Sequence, residues 1–310
     1  MKVVVTGGSG FIGSHVVDVL LRNGHEVLIY DLVPPRFDQP CKNIEADVND
    51  MPKLVSNTKG FDVIYHMAAE ANVNRFYENP IVSNFNTANS TLSVLECART
   101  NNISRVLLSS TEWVYGSIDL LAAATQAGEE ESELITEENN VAQNPDHLYT
   151  TSKIAAELFC KNYKTLYGVN YTIMRYGIPF GERARPETVT PIFINKILSG
   201  EEITIHGDGN QTRQFIYVKD LAEGNAACLD SKGENQIFNI NGREKISVIE
   251  AVRTLEKILG KKAKIRFTED RKGNYKGRFI SSEKAERLLG WKPKYSYYEA
   301  MGKYAKSFIE

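Results

Sequence analysis

The chain has 310 residues, of which 42% are hydrophobic and 25% charged, with a formal net charge of −2. That length suits one large or two modest domains with an ample core. The near-neutral balance gives no field to attract nucleic acid or an anionic membrane, and no apolar run is long enough to span a bilayer. Cys41, Cys97, Cys160 and Cys228 are widely scattered, and neither they nor the five histidines have ligand spacing. We therefore expect free thiols in a reducing cytoplasm, and no metal.

Lys2 to Val5 is a valine-rich run suited to a buried parallel strand. It leads into Thr6-Gly7-Gly8-Ser9-Gly10-Phe11-Ile12-Gly13 and not into a signal-peptide cleavage site. Phe11 to Leu21 is apolar at helical spacing, so the glycines occupy a strand-to-helix turn. Glycine there allows a tight turn and lets a diphosphate reach the N–H groups at the helix start. Glu26 to Tyr30 is a second strand ending in Asp31, 18 residues after Gly13. That is close to the spacing of the acid that binds the adenosine ribose hydroxyls. A carboxylate there disfavours a 2′-phosphate, which predicts NAD over NADP; Arg36 nearby pulls the other way.

Strands are expected at 2–6, 26–30, 43–46, 61–66, 104–110 and 170–175, and helices at 11–23, 50–57, 78–100 and 148–167. This alternation predicts an α/β fold: a Rossmann-type, doubly wound parallel sheet with helices on both faces and ligands at the strands' carboxyl ends. After about residue 176 the elements become shorter and mixed, with helices expected at 190–199, 219–230, 247–259 and 282–289. We expect a dinucleotide-binding domain over 1–175, receiving segments from about 210–240, and a smaller mixed α/β substrate domain over 176–310. Residues 117–147, with Ala122-Ala123-Ala124 and Glu129-Glu130-Glu131, break the rhythm. They suit a solvated loop better than a lid.

Tyr149 and Lys153 stand four apart on an expected helix, hence on one face. A tyrosine is a poor base at neutrality, but neighbouring positive charge favours its phenolate. Tyr149 is thus a candidate general base for a sugar hydroxyl. Ser109 to Gly116 follows the strand Arg105 to Leu108, where hydroxyls can bind a substrate oxygen.

Together these residues resemble the extended short-chain dehydrogenase/reductase family of nucleotide-sugar epimerases and dehydratases, over nearly the whole chain. The resemblance rests on Gly7, Gly10 and Gly13, on Asp31, Asp47-Val48, His66-Met67-Ala68-Ala69, Ser109 to Gly116, Tyr149 and Lys153. It continues through Gly207 to Asp220, Arg271 to Asn274, and Leu289-Gly290-Trp291. It implies that Gly7, Gly10, Phe11, Ile12 and Gly13 hold NAD, with Asp47 and Val48 at the adenine and Met67, Ala68, Ala69 and Ser109 beside the cofactor. Thr111 would hold the reacting hydroxyl, Tyr149 would be the base, and Lys153 would bind the nicotinamide ribose. Arg213 and Arg271 would grip the substrate's diphosphate and nucleotide, which suits the guanidinium fork, with Asn274 near the ribose. The helices 78–100 and 148–167 resemble a pair that forms a dimer interface in the family, which implies a homodimer.

Departures bear on the reaction. The family's 4,6-dehydratases carry Asp-Glu after the catalytic Thr; here the pair is Glu112-Trp113. One carboxylate remains as a candidate catalytic group, while an indole cannot accept a proton. Ile178 replaces an Asn that binds substrate, Thr87 replaces an Asn near the catalytic centre, and Asn274 replaces an Asp. Arg278 lies near the position that gates room for an acetamido group. The expectation is an NAD-dependent nucleotide-sugar 4-epimerase, for a UDP-hexose such as UDP-glucose or UDP-galactose. The alternatives are a dehydratase, decarboxylase or net C4 oxidoreductase of the same family, or a non-catalytic NAD-binding module.

Overall fold

The computed structural model describes residues 1–116, 134–139, 141–145, 147–269 and 279–309. Its centre is a seven-stranded sheet, all of whose pairings are parallel. The strands are β1 (Lys2–Thr6), β2 (Glu26–Asp31), β3 (Lys42–Glu45), β4 (Val63–His66), β5 (Arg105–Thr111), β7 (Asn170–Tyr176) and β11 (Gln236–Ile240). The order is β11-β7-β5-β4-β1-β2-β3, so the winding reverses between β1 and β4. A ligand crevice is expected at that switch point, outside the strands' carboxyl ends.

Alternation along the strands builds two apolar layers. Val3, Val5, Val27, Ile29 and Tyr65 face one side and pack with Val16, Leu20, Leu221 and Ala222. Val4, Leu28, Ile64, Val106 and Leu108 face the other side and pack with Val94, Leu95, Ala156 and Cys160. Both faces are therefore dry, which is why these strands read as continuous apolar runs. Each such side chain contributes roughly 1.5–3 kcal/mol on burial.

Beyond β7 the chain makes smaller sheets. In one, β10 (Thr212–Tyr217) pairs in parallel with β8 (Ile178–Phe180) and antiparallel with β12 (Lys245–Ser247). In the others, β9 (Glu202–His206) pairs with β13 (Lys264–Thr268), and β6 (Leu134–Ile135) with β14 (Phe279–Ile280). A third core of Phe180, Ile194, Ile203, Phe215, Val252, Leu255 and Met301 lies here.

The helix expected over 78–100 begins two residues late, at Pro80, and contains a π-helical turn. The chain forms Val73–Glu78, then Pro80–Asn84, a π-helical turn Phe85–Asn89, and Ser90–Asn101. Asn79 ends the first piece and Pro80 starts the next, because proline suits a first helical turn and not a helix interior. The segment 117–133, with its alanine and glutamate runs, lies outside the described residues.

Candidate active site

A cleft of about 840 Å³ lies at the carboxyl ends of β1, β2, β4, β5 and β7. One end is made by backbone. Gly7 has φ +73°, and a Cβ there would stand 2.6 Å from the Ala68 backbone nitrogen. A Cβ on Gly13 would stand 2.1 Å from the Gly7 carbonyl oxygen. The first glycine therefore sets the turn, and the third seats the helix Phe11–Arg22 against it. That helix has no side-chain cap at Gly10, so its first N–H groups remain free for an anion. Thr6 Oγ1 accepts the N–H groups of Met67 and Ala68 at 3.2 and 3.3 Å and lies 2.9 Å from His66 Nδ1. This ties the glycine turn to the end of β4. Burial, reinforced by the charge on Lys153, pushes His66 down to about 3, so its ring is neutral.

Asp31 accepts the Ser9 N–H at 2.9 Å, and it lines the cleft with Asp47 and Val48. Arg36 is exposed and is not among the cleft residues. The turn without side chains, the uncapped helix and the acid at the end of β2 fit a dinucleotide with unphosphorylated ribose.

The other end is made by side chains. Strand β5 delivers Ser109, Ser110 and Thr111 to the cleft, and the helix Leu148–Tyr167 delivers Tyr149 and Lys153. Thr111 and Tyr149 both line the cleft. Lys153 Nζ donates to the Ser109 carbonyl at 2.9 Å. Burial drives Tyr149 up to about 12, opposed by the Thr111 hydroxyl and the Arg185 guanidinium. Burial draws Lys153 down to about 8, against the charge of Glu157 one turn on. Beneath this floor, Glu157 and Arg175 form a fully buried pair at 2.6 Å, and Ser110 Oγ donates to Glu157 at 2.6 Å. A pair buried this deeply fixes the helix against β5 and β7; removing one partner would strand a charge.

The cleft gathers the sequence candidates Gly7, Gly10, Phe11, Ile12, Gly13, Asp31, Asp47, Val48, Met67, Ala68, Ala69, Ser109, Thr111, Tyr149 and Lys153. Two candidates stand apart. Glu112 is 2% exposed, does not line the cleft, and its Oε2 has no hydrogen-bond partner among the described residues. Burial raises its carboxyl to about 8, partly offset by Arg213. Arg213, on β10, also lies outside the lining and donates to the Thr212 carbonyl. Arg271, Asn274 and Arg278 lie outside the described residues. Sequence reasoning missed Glu70, Arg75, Asn86, Arg185, Thr188 and Thr190, all of which line the cleft. For Arg185 the available signal was position: it follows β8, which continues from the carboxyl end of β7.

Fold and site thus define a dinucleotide-dependent enzyme with a tyrosine–lysine pair in the same cleft. The chain belongs to the NAD dependent epimerase/dehydratase family, whose model matches residues 3–241. It is 34% identical over 301 residues, 94% of its own length and 93% of the relative's, to a Methanocaldococcus jannaschii protein provisionally named as a UDP-glucose 4-epimerase. It is 30% identical to a UDP-glucuronate 4-epimerase of Thermodesulfobacterium geofontis, covering 96% of this chain and 93% of the relative. A solved UDP-glucose 4-epimerase of Thermotoga maritima, with UDP-glucose, superposes with a TM-score of 0.90 at 28% identity, covering 100% of this chain and 99% of that one.

Proposed function

We propose that the chain is a UDP-hexose 4-epimerase of the UDP-glucose/UDP-galactose type. One contrast within the site carries this reading. The apparatus for C4 oxidation, Thr111, Tyr149 and Lys153, lines the cleft, whereas Glu112, the carboxylate next to Thr111 that could serve elimination across C5 and C6, does not. Glu112 is turned into the core and the next position is the Trp113 indole.

The glycine turn, Asp31 and Lys153 would hold NAD, which would supply a hydride acceptor and donor for C4 together with positive charge. Thr111, in the cleft with Tyr149, orients the C4 hydroxyl. Tyr149, as phenolate, accepts its proton. The resulting 4-ketone turns about its diphosphate, so reduction occurs on the opposite face and Tyr149 returns the proton. No net redox occurs. Burial holds free Tyr149 as a phenol, and added positive charge in the cleft would favour its phenolate.

Incubation of purified protein with UDP-glucose, followed by NMR, should give UDP-galactose at equilibrium. Failure to interconvert this or any other nucleotide-hexose pair would contradict the assignment. A stable 4-keto-6-deoxy product would favour the dehydratase reaction instead.

A homodimer is part of the same proposal. Tyr77, Ile81, Val82, Phe85, Leu158 and Leu166 are exposed on the helices of 73–101 and 148–167. Light scattering should give twice the chain mass; a monomer would refute this part.

A further inference from the structure

The sugar end holds an aromatic cluster that the mechanism above leaves unused. Phe76 meets the Tyr149 ring edge-on at 5.6 Å, and Trp113 meets it at 6.1 Å and 86°. The Trp113 ring lies 5.4 Å from that of His147, tilted by 41°. His147 is fixed from behind by Tyr77, whose hydroxyl lies 2.6 Å from Nδ1. His147 immediately precedes the helix carrying Tyr149 and Lys153, and Tyr77 belongs to Val73–Glu78, which also sends Arg75 into the cleft. His147 and Tyr149 pack on an indole that is partly exposed and lines the cleft, and Val73–Glu78 backs both of them. The backbone N–H of Trp113 is also anchored, donating to Thr111 Oγ1 at 3.3 Å.

We propose that Trp113 is the platform on which the hexose rides, and that it retains the ketone between the two hydride transfers. Tyr77 and His147 are positioning residues for the indole. The proposal rests on the epimerase reading. Oxidation moves a hydride from C4 to the cofactor and a proton from O4 to Tyr149; reduction reverses both. If the ketone leaves in between, the reduced cofactor stays behind and that enzyme molecule stops. Directional hydrogen bonds to hydroxyls would favour one face of the sugar. A flat apolar surface acts through ring C–H groups and excludes water, so it can hold either face while the ring turns. An indole offers the largest such surface of any side chain.

The test uses holoenzyme with UDP-glucose. Trp113→Ala should accumulate reduced cofactor several-fold faster than the parent and lose activity during turnover. Trp113→Phe should rescue part of the defect. Tyr77→Phe and His147→Ala should show the same signature more weakly. A purely structural role would lower melting temperature and initial rate without stranding reduced cofactor, and that result would overturn the proposal. A second readout needs no turnover. The chain has 2 tryptophans, and Trp291 is buried with its indole N–H on the Asp220 carbonyl. In a Trp291→Phe background, UDP-glucose should change Trp113 emission well beyond the effect of UDP alone. Equal responses would refute the platform. If the parent interconverts no sugar pair, the epimerase reading fails separately, and the emission experiment still decides whether Trp113 meets the sugar.

Discussion

The two ends of the cleft are built in different ways. At the dinucleotide end the contacts run through the backbone of the glycine turn: Gly7 against Ala68, Gly13 against Gly7, and the Ser9 N–H against the Asp31 carboxylate. At the sugar end, side chains arrive from segments far apart in sequence: Glu70 to Phe76, Thr111 to Trp113, His147 to Lys153, and Arg185. The first end constrains which residues can be present at all. The second leaves room to change chemistry while the fold stays fixed. Substitutions at the two ends should therefore separate cofactor retention from chemistry.

The largest effect is expected from Tyr149→Phe, with kcat falling by about a thousand-fold. Bound NAD and melting temperature should stay near those of the parent, because the ring packing against Phe76 and Trp113 survives. Next is Gly7→Ala, where the new methyl meets backbone at 2.6 Å in a left-handed conformation. Stability should drop by about 1–3 kcal/mol, and NAD should be lost on gel filtration. An alanine variant that keeps its cofactor would break the contrast.

The smallest and most diagnostic effect is expected from Glu112→Gln. The buried carboxyl titrates near 8 when folded instead of at its ordinary 4.5. Between those values the folded chain holds the proton and the unfolded chain does not, so stability falls as pH rises through that window. The glutamine variant lacks this loss. Its melting temperature should match the parent below the window and exceed it by on the order of 5 °C above it. Activity should change little at neutral pH; a large loss would place Glu112 in the chemistry after all.

The contrast also explains what was legible in the sequence. The strand–turn–helix at Thr6 to Gly13, the acid at Asp31 and the i, i+4 pair of Tyr149 and Lys153 are local patterns, and the cleft contains them all. The central strands were legible because burial on both faces leaves an unbroken apolar run. The helix over 78–100 was legible as a helix, but its start at Pro80 and its π-helical turn were not, since no simple pattern announces such a turn. Glu112 looked catalytic because it adjoins Thr111, yet the chain turns at that point and carries it inward. Arg185 went unseen because its approach to Tyr149 is made by tertiary structure, from a loop 36 residues further along.

The most direct test of the account is the fate of a deuterium placed at C4 of UDP-glucose. Hydride return to the same carbon predicts that the label stays at C4 in both recovered UDP-glucose and UDP-galactose, with none lost to solvent. Deuterium at C6 of a deoxy-keto product, or its exchange into water, would contradict the account.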